Sequence, residues 1–439
     1  MTARTRELLG LVPVSLLVTA GFTAVLITRS SQTGTATLTY GAIFLAACVL
    51  GHVFIRVRLP NADPYLFPLA ALIAGVGLVI LYRIDPAFAL DQARWFGLGL
   101  ALFCLVVVLL RDYRTLERYR YTIAIASIVL LLLPRVPGIG GATNGAYLAV
   151  SLGPVSFQPA EFAKIGIVIF LASYLNDFRD VMVRGRVPRL SLKHFGPLLV
   201  IWGVSMFMLV FIRDLGSSLM FFGAFLALLY VATARVSFVV AGLAAFVGGA
   251  WFVAGHVSHV HDRIEAWRDP FQSMAIYEKP SGGSYQIAQS LFAQADGGLF
   301  GQGLGESLLQ IGDKGPVLVP AAHTDLVYAI VVNDLGLFGG VGLLCAYLVF
   351  VARGFKTAMV AHDGFVKLLA TGLSAVFALQ VFVIVGGVTK VIPLTGVTLP
   401  FVSAGGSSVL ANFVLIALLL VASDAARRDP LASGGGLAS

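Results

Sequence analysis

Ala322-His323-Thr324-Asp325 stands immediately before a long apolar run that begins with Leu326. Asp325 is therefore an ionisable group at the edge of a hydrocarbon slab, where a charge is costly to keep and marks a functional site by default. A second set of charged residues opens another apolar segment, Gln158-Pro159-Ala160-Glu161-Phe162-Ala163-Lys164. Pro159 suits a first helical turn, Glu161 favours the positive end of the helix dipole, and Lys164 three residues on shares its face. The pair is either an ordinary helix start with one ion pair, or a carboxylate and an ammonium lining a polar cavity inside the membrane; the second explains better why a lysine enters a span.

Phosphate ligands need cationic or N–H donors, and Arg83, Arg94, Arg213, Arg263, Lys279, Lys314 and Lys390 lie between spans on one side of the chain's expected topology. Arg213-Asp214-Leu215-Gly216-Ser217-Ser218 is the most pointed of these, a tight turn between two spans. Near the C-terminus, Pro400-Phe401-Val402-Ser403-Ala404-Gly405-Gly406-Ser407-Ser408 leads into the last span. Gly405 and Gly406 allow close backbone approach, and Ser403, Ser407 and Ser408 either cap the helix or meet phosphate oxygens. Three other motifs point to less. Gly301-Gln302-Gly303-Leu304-Gly305 has no preceding strand and the wrong spacing for a nucleotide loop, so it reads as a flexible turn. His256, His259, His261 and Asp262 read as an interfacial helix end before a metal site. Asp334, about 13 Å along a regular helix from Asp325, is a buried structural partner or a support for the site.

The elements that must position these groups are membrane helices. The chain has 439 residues, of which 58% are hydrophobic and 12% charged, with a mean hydropathy of +0.91. That composition excludes a soluble globular protein. Runs of about 20 apolar residues, enough to cross about 30 Å of hydrocarbon, begin near Leu9, Leu38, Tyr65, Trp95, Tyr121, Phe162, Phe195, Ser217, Phe238, Leu326, Leu368 and Ser407. The expected fold class is all-α, a polytopic membrane protein of about twelve transmembrane helices with a large extracellular loop between the ninth and tenth. Nineteen of the 30 Lys and Arg residues fall in short connections on one face; these stay cytoplasmic, which puts both termini in the cytoplasm and the long loops outside. The net charge of +8 is then a topology signal, not a case for nucleic acid. Cys48, Cys104 and Cys345 fall inside apolar runs and form neither a disulfide framework nor a zinc motif.

The long loops span 134–161, 257–324 and 386–406, and binding groups tend to sit on such loops. The largest contains the amphipathic stretch Arg263-Ile264-Glu265-Ala266-Trp267-Arg268-Asp269-Pro270-Phe271, suited to the membrane interface with Trp267 at headgroup depth. The expected organisation is an N-terminal transmembrane extension and third helix over residues 1–82, a main membrane domain over 83–425, and a disordered cytoplasmic tail over 426–439.

These motifs together resemble the RodA and FtsW proteins, the shape, elongation, division and sporulation family of peptidoglycan glycosyltransferases. The resemblance is carried by Arg83-Ile84-Asp85-Pro86, Gln158-Pro159-Ala160-Glu161, Arg213-Asp214-Leu215-Gly216, Tyr285-Gln286-Ile287-Ala288-Gln289-Ser290, Gly297-Gly298, His323-Thr324-Asp325 and the run from Leu399 to Ser408. The two-span N-terminal extension and Arg118-Tyr119-Arg120-Tyr121 look like the actinobacterial RodA branch. The resemblance implies polymerisation of lipid II at the outer face of the cytoplasmic membrane, with Asp325 as general base. By the same carry-over Glu161 and Lys164 line the cavity, while Gln158, Arg213, His323, Thr324, Lys390 and the Ser403, Gly405, Gly406, Ser407 and Ser408 loop contact substrate. It further implies a class B penicillin-binding protein as partner, and a divalent cation, Mg²⁺ or Mn²⁺, helping to neutralise pyrophosphate. A lipid-linked precursor flippase is the competing reading, since a charged cavity serves transport too. The chain departs from the family at Tyr147, Leu148 and Ala149, where basic residues and a tryptophan are common, and at Asn333-Asp334, where two glutamates are usual.

Overall fold

The computed structural model of the chain describes residues 2–29, 36–110, 112–143, 146–152, 155–184, 203, 214–256, 258–271, 283–306, 309 and 318–428. Helices start where the sequence supplies side-chain acceptors for the free N–H groups of a first turn. Asp85 accepts from the amide of Ala87 with Pro86 next in line, Asp214 from that of Ser217, and Asp363 from those of Phe365 and Val366.

Four long apolar helices come first: α1 (Ala3–Arg29), α2 (Ala36–Arg58), α3 (Leu66–Ile84) and α4 (Pro86–Leu109). The short α5 (Arg114–Arg118) and α6 (Arg120–Leu132) follow, then α7 (Pro159–Arg184), α8 (Leu215–Thr233), α9 (Val236–His256), α10 (Ser258–Arg268) and α11 (Gly283–Gly297). The chain closes with α12 (Val327–Val360), α13 (Gly364–Val388) and α14 (Gly406–Arg427). Among the described residues eight helices, α1 to α4, α8 and α12 to α14, are long and apolar enough to cross a membrane. Three more of the twelve expected segments coincide with α6, α7 and α9; the one near Phe195 lies outside the described residues.

Helices α3, α13 and α14 bury most of their surface, while α1, α2 and α4 leave most of theirs exposed, as an outer layer facing lipid does. α14 packs on α4 and α13, α12 on α13 and α3, α7 on α6, α8 and α13, and α1 on α2 and α3. The long loops are more ordered than their turn-rich composition implies. Residues 134–161 include a three-stranded antiparallel sheet, β1 (Gly140–Thr143), β2 (Ala146–Leu152) and β3 (Val155–Phe157), and 257–324 holds α10 and α11. Tyr147, Leu148 and Ala149 lie on β2.

One end of the bundle is closed by a buried ionic knot. Asp63, in the turn between α2 and α3, pairs with Arg353 of α12 and, at 2.8 Å, with Arg427 of α14, while its amide donates to Ser423 Oγ at 2.8 Å. Arg4 of α1 pairs with Glu7 and donates to the Ala62 carbonyl, and His52 of α2 lies 2.9 Å from Glu7.

Candidate active site

At the opposite end, the segment from Val388 to Gly405 is held chiefly through its main chain. Ser290 and Gln294 of α11 donate to the Val388 carbonyl at 2.9 and 3.0 Å, capping the end of α13. Trp267 and Arg263 of α10 donate to the carbonyls of Lys390 and Leu394 at 3.0 and 2.9 Å. Gln380 of α13 reaches the Thr398 carbonyl at 2.9 Å, Tyr347 of α12 the Pro400 carbonyl at 2.6 Å, and Gln92 of α4 those of Phe401 and Ser403 at 3.3 and 3.1 Å. Buried carbonyls need such donors, and here they come from five different helices.

That segment in turn grips the turn before α12. Ser403 Oγ accepts from the Leu399 amide and donates to the Thr324 carbonyl at 2.6 Å, and the Ala404 amide donates to the His323 carbonyl at 2.7 Å. The His323 ring stacks on Phe88 with centroids 4.2 Å apart. Ala321 and Phe401, on either side of the junction, both adopt the left-handed region at φ 51° and 64°. Such conformations cost energy in non-glycine residues and cluster at functional sites.

Asp325 is thereby aimed at a glycine. A Cβ on Gly396, whose φ is +73°, would stand 3.6 Å from Asp325 Oδ2 and 4.0 Å from Arg263 Nη2, so carboxylate and guanidinium face one another across bare backbone. Among the described residues the carboxylate takes no hydrogen bond and is only partly buried by its neighbours. Its desolvated setting pushes it up to about 6, with Arg263 pulling in the other direction. Burial lowers the Arg263 guanidinium, opposed by the charges of Asp214 and Asp325. Asp214 is raised by burial, opposed by its hydrogen bonds from Ser217 and by Arg263, and pushed further by Glu161. His323 is lowered by burial.

Glu161 then leads to the second expected pair. Lys164 Nζ lies 2.5 Å from Glu161 Oε2 and 2.6 Å from Gln380 Oε1, with 6% and 1% of Glu161 and Lys164 exposed. Buried charges persist when paired and hydrogen-bonded. Through Gln380 this pair joins the Thr398 carbonyl, so one loop serves both halves of the site. The line Asp325, Arg263, Asp214, Glu161, Lys164 runs across four elements.

The serines do not cap their own helix. Gly405 is the N-cap of α14, and no side-chain hydrogen bond caps that helix. Ser407 Oγ accepts from the Gln158 amide at 2.9 Å, fastening the start of α7, and Ser408 Oγ accepts from Thr398 Oγ1 at 2.8 Å. These hydroxyls face neighbouring loops because tertiary partners compete for them better than the first helical turn does. Gly406 is needed for close approach of a ring: a Cβ there would be 2.3 Å from Trp95 Cε2. Lys390, at φ 61°, holds its ammonium 5.9 Å from the Phe271 ring centroid. Arg213, Lys279 and Lys314 lie outside the described residues.

The motif reading named Arg263 among the cationic phosphate candidates and Asp214 beside Arg213, but gave neither a place next to Asp325. A signal for that place existed: Arg263 shares the inward face of α10 with Ala266 and Trp267, the side an amphipathic helix keeps apolar. Asp334 proves to be an ion-pair partner, its Oδ2 2.7 Å from Arg83 Nε of α3.

A sequence profile described as a cell cycle protein family, FtsW/RodA/SpoVE, matches residues 66–428. Peptidoglycan glycosyltransferase RodA of Mycobacterium tuberculosis is 41% identical over 406 residues, which cover 89% of this chain and 84% of that one. Stage V sporulation protein E of Bacillus subtilis is 29% identical over 82% of this chain and 96% of its own length. Among solved structures, a chain from a peptidoglycan synthase complex that coordinates polymerization and crosslinking superimposes with a TM-score of 0.66 at 28% identity, over 84% of this chain and 99% of that chain.

Proposed function

The chain belongs to the FtsW/RodA/SpoVE family, and from that membership we propose that it is a peptidoglycan glycosyltransferase serving cell shape, which joins lipid II units into glycan strands with Asp325 as general base. The observation that carries the role of Asp325 is its setting: a carboxylate with no hydrogen bond among the described residues, raised to about 6 by burial, facing Arg263 across Gly396. A base is most useful when its pKa lies near the working pH.

In the reaction, the 4-hydroxyl of the acceptor sugar attacks the anomeric carbon of the donor. The new C–O bond forms as the bond to the pyrophosphate breaks, the hydroxyl proton passes to Asp325, and the lipid pyrophosphate leaves with the bonding pair. An α-linked donor so becomes a β-1,4 link. Arg263 opposes the upward shift of Asp325 and so helps hold the carboxylate in its ionised, proton-accepting form. Gln158, Arg213, His323, Thr324, Lys390 and the Ser403 to Ser408 loop are the proposed substrate contacts. Among the described residues no three His, Cys, Asp or Glu side chains are grouped to hold a metal ion. A magnesium or manganese ion is therefore proposed to travel with the substrate's own pyrophosphate, and chelation tests the requirement.

The basic connections support a topology with both termini in the cytoplasm and the Asp325 end outside. The family setting supports a class B penicillin-binding protein, a transpeptidase, as partner.

The test is polymerisation of purified lipid II by the purified chain, with and without that partner. Glycan ladders that vanish in Asp325→Asn support the assignment. Movement of lipid II between leaflets without any ladder would replace it with the flippase reading.

A further inference from the structure

Asp325 is carried on a short piece of helix that does not belong mechanically to the long helix following it. α12 is interrupted at Gly336, where φ is 72° and ψ −177°. The carbonyls freed by this break are taken by the loop after α11: Gln302 N donates to the Asn333 carbonyl at 2.9 Å and Gly303 N to that of Asp334 at 3.0 Å. Past the break the direction reverses, with Leu337 N and Phe338 N donating to the carbonyls of Gly298 and Leu299 at 2.9 and 3.2 Å. Asn333 Nδ2 adds a bond to the Ala293 carbonyl at 2.6 Å. Backbone meets backbone here so closely that a Cβ on Gly301 would stand 2.2 Å from the Asp334 carbonyl oxygen, and one on Gly336 2.3 Å from that of Leu299. The Gly301 to Gly305 run, which the sequence suggests is a flexible turn, is thus partly a docking strip. The ion pair of Arg83 with Asp334 ties the same point to α3, with both side chains at most 4% exposed.

We infer that Arg83, Asp334 and Gly336 are positioning residues for Asp325. Together they set the height and rotation of the Leu326–Leu335 piece, and so the approach of its leading carboxylate to Arg263. The pin acts about 13 Å from Asp325 along the helix axis, and it works because the break uncouples that piece from the remainder of α12. The inference rests on the reading of Asp325 as base.

The test compares the native full-length chain with Arg83→Gln, Asp334→Asn and the exchanged pair Arg83→Asp with Asp334→Arg. Two quantities are read: amide hydrogen exchange of peptides covering 297–303 and 326–338 in detergent, and the pH profile of lipid II polymerisation. Either single variant is expected to speed exchange in both peptides about tenfold or more while α14 stays protected. kcat falls on the order of 10²-fold with KM little changed, because a misplacement of about 1 Å suffices for that loss. The acid limb moves above its native position as Asp325 withdraws from Arg263, and the exchanged pair recovers both readouts. Unchanged exchange at 326–338, or a loss of activity with the acid limb in place, overturns the inference. Should the neutral variants fail to fold, Arg83→Lys keeps the charge without the guanidinium geometry and is expected to give a smaller displacement of the same limb; no displacement overturns the inference equally. A native chain that makes no glycan defeats the catalytic reading alone, since the exchange measurement still decides whether the pin holds the Asp325 piece.

Discussion

At Asp325, burial and Arg263 act against one another, and the balance has a sign that can be measured. The ionised form is the base, and its pKa is raised to about 6, so activity is gained as pH rises through about 6 and falls about tenfold per unit below it. The pH profile of kcat/KM checks this. Asp325→Asn is expected to cost about 10²–10⁴-fold in rate, the range for losing a general base. Arg263→Gln removes the group that pulls Asp325 down, so the acid limb moves to higher pH and the loss is greater at pH 6 than at pH 8. The aspartate was legible in the sequence because a carboxylate bordering an apolar run is a rarity that composition alone exposes. Asp214 was hidden by its use as a helix cap, which is what an aspartate before a helix normally does.

Between elements, the pair Glu161 and Lys164 links α7 to α13 and, through Gln380, to the loop below Asp325. Removing one member of a buried pair leaves an uncompensated charge, so Lys164→Met is expected to destabilise by about 3–5 kcal/mol, whereas Glu161→Gln with Lys164→Met loses much less. Thermal unfolding in detergent of the two singles and the double reads this coupling. Spacing alone announced the pair, because residues three apart on a helix share a face. The serines were less legible: whether a hydroxyl caps its own helix or fastens a distant loop depends on partners 10 to 249 positions away, as for Ser408 with Thr398 and Ser407 with Gln158. The small three-stranded sheet escaped for a related reason, since strands of four, seven and three residues carry little pattern of their own.

Across the whole molecule, the two ends are closed by different means. At the arginine-rich end Asp63 serves two guanidiniums at once, from α12 and α14, and is itself fully buried. Asp63→Ala strands both, and a drop of about 3–5 kcal/mol in stability is expected, with lipid II binding at the other end retained by the folded fraction. Melting curves and substrate binding separate these outcomes. The sequence foretold a polytopic helical membrane protein because hydrocarbon demands long apolar helices. It could not foretell which helices are core and which are rim, since both kinds read as equally apolar. At the site end, the loop from Val388 to Gly405 is gripped by the side chains of other helices through carbonyl oxygens, which every amino acid possesses. Such a grip is blind to the identity of what it holds. Evolution can therefore redraw the outward chemistry of that loop, at the exposed Val391 for example, while the frame around Asp325 persists. A saturation scan should find the gripping residues Gln92, Tyr347 and Gln380 intolerant and the exposed position Val391 of the gripped segment permissive. The fold thus keeps a fixed scaffold and an editable palm in the same few cubic nanometres.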